Sequence, residues 1–323
     1  QVGIDVQIWC VAISACEKGA RWQQALRLFL DMRSARCAPN VVGYNAAISA
    51  CEKGARWQEA LAVFFDMRLR HMEPNVISYH AAITACRKGA RWNEALRLLV
   101  DMQSRRVAPE VGTFIAALSA CEKGAQGTAS LRILAGMKWL VVDPDQTTYS
   151  VAMSACAKSV QWQEALDLFS ELQHCRLEPS RLTYGTAVRA CERGARWHDA
   201  LGLFAQMRLR RVEPDFRAYS CAIRACEACD QWHEALGKFA DMQLRFLEPD
   251  RRVCEAVISS RAKGACWQGA LGMFFDMERR GMEPRSKACQ AAVHAFEQGA
   301  RWHEASYLVA AMRLRHVEAD AAA

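Results

Sequence analysis

Residues Tyr44–Asn75 read YNAAISACEKGARWQEALAVFFDMRLRHMEPN, and much of that text has already appeared at Ile13–Phe29 as ISACEKGARWQQALRLF. The repetition decides the fold. Tryptophan stands at 22, 57, 92, 162, 197, 232, 267 and 302, always 35 residues or a multiple of 35 apart, and Gly127 fills the one gap in that ladder. Only Trp9 and Trp139 fall off it. Proline keeps the same interval from Pro39 to Pro284, and Ala319 closes that series. The chain therefore divides into nine repeats, 6–40, 41–75, 76–110, 111–145, 146–180, 181–215, 216–250, 251–285 and 286–320, with no insertion between them. A fixed period of about 20–50 residues is the signature of a stacked array, so length alone, which suggests two domains, is overridden.

Each repeat holds two helices. In the second, Tyr44, Ala47, Ile48 and Cys51 recur at the spacing of one helical face. Gly54 is expected to break that helix. Trp57, Ala60, Leu61, Phe64, Phe65 and Met67 then form a second apolar stripe, and Pro74 ends the repeat because proline cannot continue a helix. No strand-like alternation is found. Two helices this short cannot bury both stripes alone, so neighbouring repeats must stack. The expected architecture is an all-α solenoid running as one domain through residues 1–323.

The composition, 52% hydrophobic and 24% charged, suits a folded soluble chain, and no apolar run is long enough to predict a membrane span. The chain opens at Gln1, and Val2-Gly3-Ile4-Asp5 read as the tail of a preceding repeat, so a slice of a longer array is expected. Of 15 cysteines, Cys16, Cys51, Cys86, Cys121, Cys156, Cys191 and Cys226 occupy one register position on the apolar stripe, which predicts free thiols packed in a core and a reducing compartment. Cys226-x-x-Cys229, with Cys221 and His233 nearby, is the one cluster resembling a metal site, but it lacks the second pair that zinc needs. His71-x-Glu73 and His316-x-Glu318 recur at one register position and belong to the repeat. The tryptophans open the second apolar stripe and are expected to pack between repeats.

At about 100° per residue, positions 4, 7, 8 and 11 of the first helix cluster on one side and positions 2, 5, 9 and 13 on the other. The thirteenth position is basic at Lys18, Lys53, Lys88, Lys123, Lys158, Arg193 and Lys263. One cation per repeat along a face suits a polyanion with regularly spaced charges. Beside it runs an acidic row at position 12, including Glu17, Glu52, Glu122, Glu192 and Glu227, and the net charge of +7 is mild, so a plain solvated face is the competing reading.

Tyr-Asn near the start of the repeat, the basic thirteenth residue, E-A-L-x-x-F, Asp-Met and a closing Glu-Pro-Asn/Asp together resemble pentatricopeptide repeats from Val6 to Asp320. Tetratricopeptide repeats, the nearest rival, have a period of about 34 residues. The resemblance implies a right-handed superhelix whose concave face holds single-stranded RNA, one base per repeat. It implies that the fifth and last residues of a repeat read a base edge, that the second flanks the base and that the thirteenth holds phosphate. Carried over, Asn45 with Asn75 resembles a pyrimidine reader, Ser220 with Asp250 a guanine reader, and Ser150 with Ser180 a purine reader. Val42, Ile77 and Leu182 keep the branched apolar second residue, whereas Gln7, Gly112, Thr147, Arg217, Arg252 and Lys287 depart from it, as do the other six reading pairs.

The expected function is non-enzymatic binding of single-stranded RNA in processing, stabilisation or translation. The resemblance places it in a chloroplast or mitochondrion, with a protein partner supplying any catalysis. The alternative is a protein-binding scaffold with degenerate reading positions. No cofactor, metal, membrane or small-molecule substrate is expected, because the repeats account for nearly every residue.

Overall fold

The structure, a computed structural model, describes residues 5–35, 37–264, 266–299 and 305. Expectations for Trp302, His316, Glu318, Ala319 and Asp320 fall outside the described residues. Among the described residues seventeen complete helices follow one another, and none of those residues lies in a strand. The first helices of the nine repeats are α1 (Val6–Lys18), α3 (Val41–Lys53), α5 (Val76–Lys88), α7 (Val111–Lys123), α9 (Gln146–Lys158), α11 (Arg181–Arg193), α13 (Phe216–Ala228), α15 (Arg251–Lys263) and α17 (Ser286–Gln298). The second helices are α2 (Trp22–Ser34), α4 (Trp57–Leu69), α6 (Trp92–Ser104), α8 (Gly127–Trp139), α10 (Trp162–His174), α12 (Trp197–Leu209), α14 (Trp232–Leu244) and α16 (Trp267–Arg279). Every first helix begins at the residue where the sequence period places a new repeat, so the fold is the expected all-α solenoid of helical hairpins.

Two local devices set these boundaries. The last residue of a repeat caps the next first helix: Asn40 Oδ1 accepts the Gly43 N–H at 2.9 Å, Asn75 that of Ser78 at 3.0 Å, and Asp250 that of Val253 at 2.9 Å. Such a cap satisfies one of the free N–H groups at a helix start. At the other end Arg56 N–H returns to the Cys51 carbonyl at 2.9 Å, closing a Schellman-type turn. As expected, α3 ends at Lys53 with Gly54 as its C-cap, though not through a left-handed glycine. Gly54 keeps φ −75°, and the left-handed residue is Ala55 at φ 55°.

Glycine is required at position 14 for space. A Cβ on Gly54 would lie 2.4 Å from Trp22 Cδ1 of the preceding repeat, and one on Gly89 equally close to Trp57. Trp22, Trp57, Trp92, Trp162, Trp232 and Trp267 thus lie half-buried on the next repeat's glycine, whereas the repeat after Trp197 has Cys229 in that place. An arginine two residues on covers the ring: Arg56 stands 4.8 Å from the Trp22 centroid and Arg91 4.3 Å from that of Trp57. Where Gly127 replaces the tryptophan the socket is filled from the other side, since a Cβ there would meet Ser159 Oγ at 2.2 Å and Gln161 Oε1 at 2.0 Å. Ser159 and Gln161 stand where other repeats have glycine and arginine, so the changes compensate.

The contacts divide the chain into two compact units, Gln1–Gln161 with His174–Leu177, and Trp162–Gln173 with Glu178–Ala323. Within the first, α1, α3, α5, α7 and α9 pack on one another in order; within the second, α11, α13, α15 and α17 do so. First helices are consequently buried over a wider arc than one stripe, as the buried residues Gly43, Tyr44, Ala46, Ala47, Ile48, Ala50 and Cys51 of α3 record. The alanines at positions 6, 7 and 10 permit that close approach. Second helices bury a narrower stripe, such as Ala25, Phe29 and Met32 in α2. Phe65, expected in the core, is 43% exposed because α4 turns that side outward.

Candidate nucleic-acid interface

The polar edge of a first helix is formed by positions 2, 5, 9, 12 and 13. The expected readers Ser150 and Ser220 at position 5 are buried, as are Thr84, Ser154 and Ser259 at position 9. Position 2 is exposed at Val42, Ile77 and Leu182, although branched apolar side chains gain by burial. Between the first two lies a polar pair. Asn45 Nδ2 donates to Asn75 Oδ1 at 3.2 Å, and Ser78 Oγ donates to Asn45 Oδ1 at 2.6 Å. The expected reading pair is therefore preassembled, and Asn75 also caps α5.

Ser220 and Asp250 line one cavity with Leu182 and Arg193. Ser150 and Ser180 belong to different compact units. Ser150 Oγ donates back to the Gln146 carbonyl at 2.8 Å, while Ser180 Oγ accepts the Thr183 N–H at 3.3 Å as a cap. The last-position residue thus has a structural duty that explains its recurrence as Asn, Asp or Ser before any ligand is invoked.

The cationic row forms a ladder with the acidic one. Glu17 Oε1 accepts Ser49 Oγ at 2.8 Å and Lys53 Nζ at 2.9 Å. Lys88 Nζ lies 2.7 Å from Glu52 Oε1. Glu122 Oε1 accepts Ser154 Oγ at 2.8 Å and Lys158 Nζ at 2.9 Å. Each bridge joins a repeat to the one before it. Lys263 pairs with Asp230, and Lys18 and Lys123 have no ion-pair partner among the described residues. For Lys123 the reason is legible, since Arg87 stands where the partner carboxylate would be. Position 12 of the preceding repeat therefore decides how much positive charge position 13 offers.

In the second compact unit this rule gives way. Arg189 and Arg224 replace the small residue at position 9, and Arg217 and Arg252 replace the apolar residue at position 2. With Arg181 and Arg193 they line a cavity of about 540 Å³ on α11, α13 and the start of α15. Its carboxylates are committed: Glu192 lies 2.5 Å from Arg224, and Asp215 and Asp250 cap α13 and α15.

Burial pushes the Cys51, Cys86 and Cys191 thiols up to about 12 and those of Cys121 and Cys226 to about 11. They are neutral packing groups, far from the thiolate that nucleophilic chemistry needs. Among the described residues no group of three or more His, Cys, Asp or Glu side chains is placed to hold a metal, and no helix is long and apolar enough to cross a membrane. Cys229 Sγ donates to the Ala195 carbonyl at 3.0 Å and His233 stacks on Trp232.

The chain also matches family models. "PPR repeat family" covers residues 39–88, "Pentatricopeptide repeat domain" covers 4–54 and 97–159, and "PPR repeat" covers 77–107, 147–177 and 182–212. Together these run through more than half of the sequence. The chain belongs to the pentatricopeptide repeat family. No curated protein sequence matches it. Among solved pentatricopeptide repeat proteins, 98% of the chain aligns with 50% of PPR10 from maize, at 22% identity and a TM-score of 0.57. PPR10 in complex with an 18-nt psaJ RNA element aligns over 94% of this chain and 53% of that one, at 20% identity and a TM-score of 0.41. The PPR domain of Arabidopsis thaliana protein-only RNase P 1, in complex with tRNA, aligns over 53% and 90%, at 15% identity and a TM-score of 0.48. The likeness to maize PPR10 is one of fold, and the chain spans about half of that protein's length.

Proposed function

We propose that this chain binds single-stranded RNA along the polar edge of its first helices, one base per repeat, and that it does so without chemistry of its own. The supporting observation is the Asn45–Asn75 pair. Two amides hydrogen-bonded across a repeat boundary, with Val42 and Ile77 exposed beside them, offer polar groups to a base edge and apolar groups to its faces. Single-stranded RNA is read by that combination, because its unstacked bases expose both edge and face. The family setting extends the proposal to organellar RNA, where bound repeats would protect a transcript or present it to a partner enzyme.

The glutamate–lysine ladder favours a second reading. Cations held by carboxylates are poor phosphate ligands, and the same edge could grip an extended peptide instead. Fluorescence anisotropy with a randomised single-stranded RNA, at low and physiological salt and with double-stranded RNA as competitor, separates the two. RNA binding predicts a preference for the single strand and a steep loss with salt. Absence of binding at low salt would transfer the assignment to a peptide ligand.

A further inference from the structure

We propose that the arginine-lined cavity of the second compact unit is a phosphate clamp, a site that holds the backbone of a single strand without reading its bases. This rests on the RNA-binding reading above and deepens it, dividing the chain into a part able to read sequence and a part that only holds. Of the expected guanine pair in this cavity, Ser220 is buried and Asp250 is committed to capping α15.

Three observations carry the assignment. The first is charge. Six guanidinium groups line the cavity against three carboxylates, and each of those carboxylates already serves an arginine or a helix cap. Arg181, Arg217 and Arg252 are exposed and have no ion-pair partner among the described residues. The second is position. Arg181 is the first residue of α11, Arg217 the second of α13 and Arg252 the second of α15. A cation in the first turn opposes the helix dipole, so the fold gains nothing by placing it there. An anion there would meet both the guanidinium and the positive end of the helix. The third is what has been lost. Position 2 offers Val42 and Ile77 to a base face in the first compact unit, but a charged fork in repeats seven and eight, and position 9 exchanges Ser49 and Thr84 for Arg189 and Arg224. Planar guanidinium groups match phosphate oxygens two at a time.

The test uses the whole chain and a triple variant, Arg181→Gln/Arg217→Gln/Arg252→Gln. Probes are short single-stranded oligonucleotides of uridine, cytidine and adenosine, with inorganic polyphosphate as a base-free probe. The clamp predicts that the variant loses affinity for all three oligonucleotides and for polyphosphate by a similar factor, on the order of tenfold. The slope of log affinity against log salt should shrink by about 2, at about 0.7 for each single-strand phosphate contact removed. Thermal unfolding should occur no lower than in the wild type, since the dipole conflict is relieved.

An unchanged salt slope, with wild-type RNA binding intact, would overturn the clamp and leave the RNA reading standing. A loss confined to one oligonucleotide would also overturn it, assigning these arginines to bases. Polyphosphate binding that depends on the three arginines, without RNA binding, would overturn both the clamp as a single-strand site and the RNA reading. Binding of neither probe would remove both.

Discussion

Repeats two and three, residues 41–110, and repeats six and seven, residues 181–250, share one helical frame but present different surfaces. In the first pair Tyr44 and Tyr79 are buried, and their hydroxyls donate to Asp66 at 2.8 Å and Asp101 at 2.6 Å. Arg33 and Arg68 of the preceding repeats reach the same carboxylates at 3.3 and 3.2 Å. In the second pair Tyr219 keeps its bond to Asp241, at 2.9 Å, but Gln206 takes the aspartate's place after Tyr184, whose hydroxyl is buried with no partner. Trp22 and Trp57 rest on glycine under an arginine, whereas Cys229 takes the glycine's place in repeat seven and Trp197 stacks on His198, ring centroids 3.5 Å apart. Lysines held by glutamates give way to arginines in excess. The fourth repeat shows the same freedom with compensation, since Phe114 replaces the tyrosine and Gly136 the aspartate together.

The difference teaches that the frame tolerates loss of the Tyr–Asp bond in repeat six and of the position-14 glycine in repeat seven, because the first helices within each compact unit are also joined by tight alanine packing. Side chains off that packing are free to diverge, and the face they build can change its chemistry along the chain.

The largest expected effect separates the two sockets. Gly89→Ala should cost about 1–3 kcal/mol, as for overpacking, because the Trp57 ring must leave its place. Cys229→Ala should stay within about 0.5 kcal/mol. Thermal or urea unfolding measures both, and equal losses would break the comparison. Next, Glu17→Gln with Glu52→Gln should release Lys53 and Lys88. RNA affinity should rise several-fold and the salt slope by about 0.7 for each lysine freed. An unaltered titration would mean that the ladder does not restrain those cations.

Tyr44→Phe should destabilise by about 1 kcal/mol by removing a bond to a charged acceptor, while Tyr184→Phe should be neutral or stabilising, since its hydroxyl is buried unsatisfied. A reversed order in denaturant midpoints would contradict the assigned partners. The subtlest effect concerns the cap that doubles as a reader. Asn75→Asp preserves an N-cap oxygen, so stability should move by no more than about 0.5 kcal/mol, yet pyrimidine preference should change. Asp215→Asn, in a repeat whose fifth residue is Gly185, should alter neither stability nor preference. Binding to uridine and cytidine oligonucleotides decides the point.

Periodicity alone fixed the repeat and its helix starts, because helical periodicity is local and a one-residue slip would misplace every tryptophan. It set Thr84, Ser150 and Ser220 on an outer face, where neighbouring repeats bury them. It also located the cysteine row, buried from Cys51 to Cys226 and half-buried at Cys16, whose register position alone argued for packing. It placed the helix break at Gly54, but spacing cannot say whether that glycine is needed for its backbone angle or to admit the Trp22 ring. It placed Phe65 in the core because apolarity alone cannot say which side of α4 a neighbour covers. Only the tertiary structure showed that Lys53 belongs to Glu17, that Asn45 meets Asn75, and that six arginines from three helices share one cavity. Those partners lie about one repeat apart in the chain. Which atoms meet at that distance depends on the offset at which adjacent hairpins stack, and that offset is set by alanine and tryptophan packing.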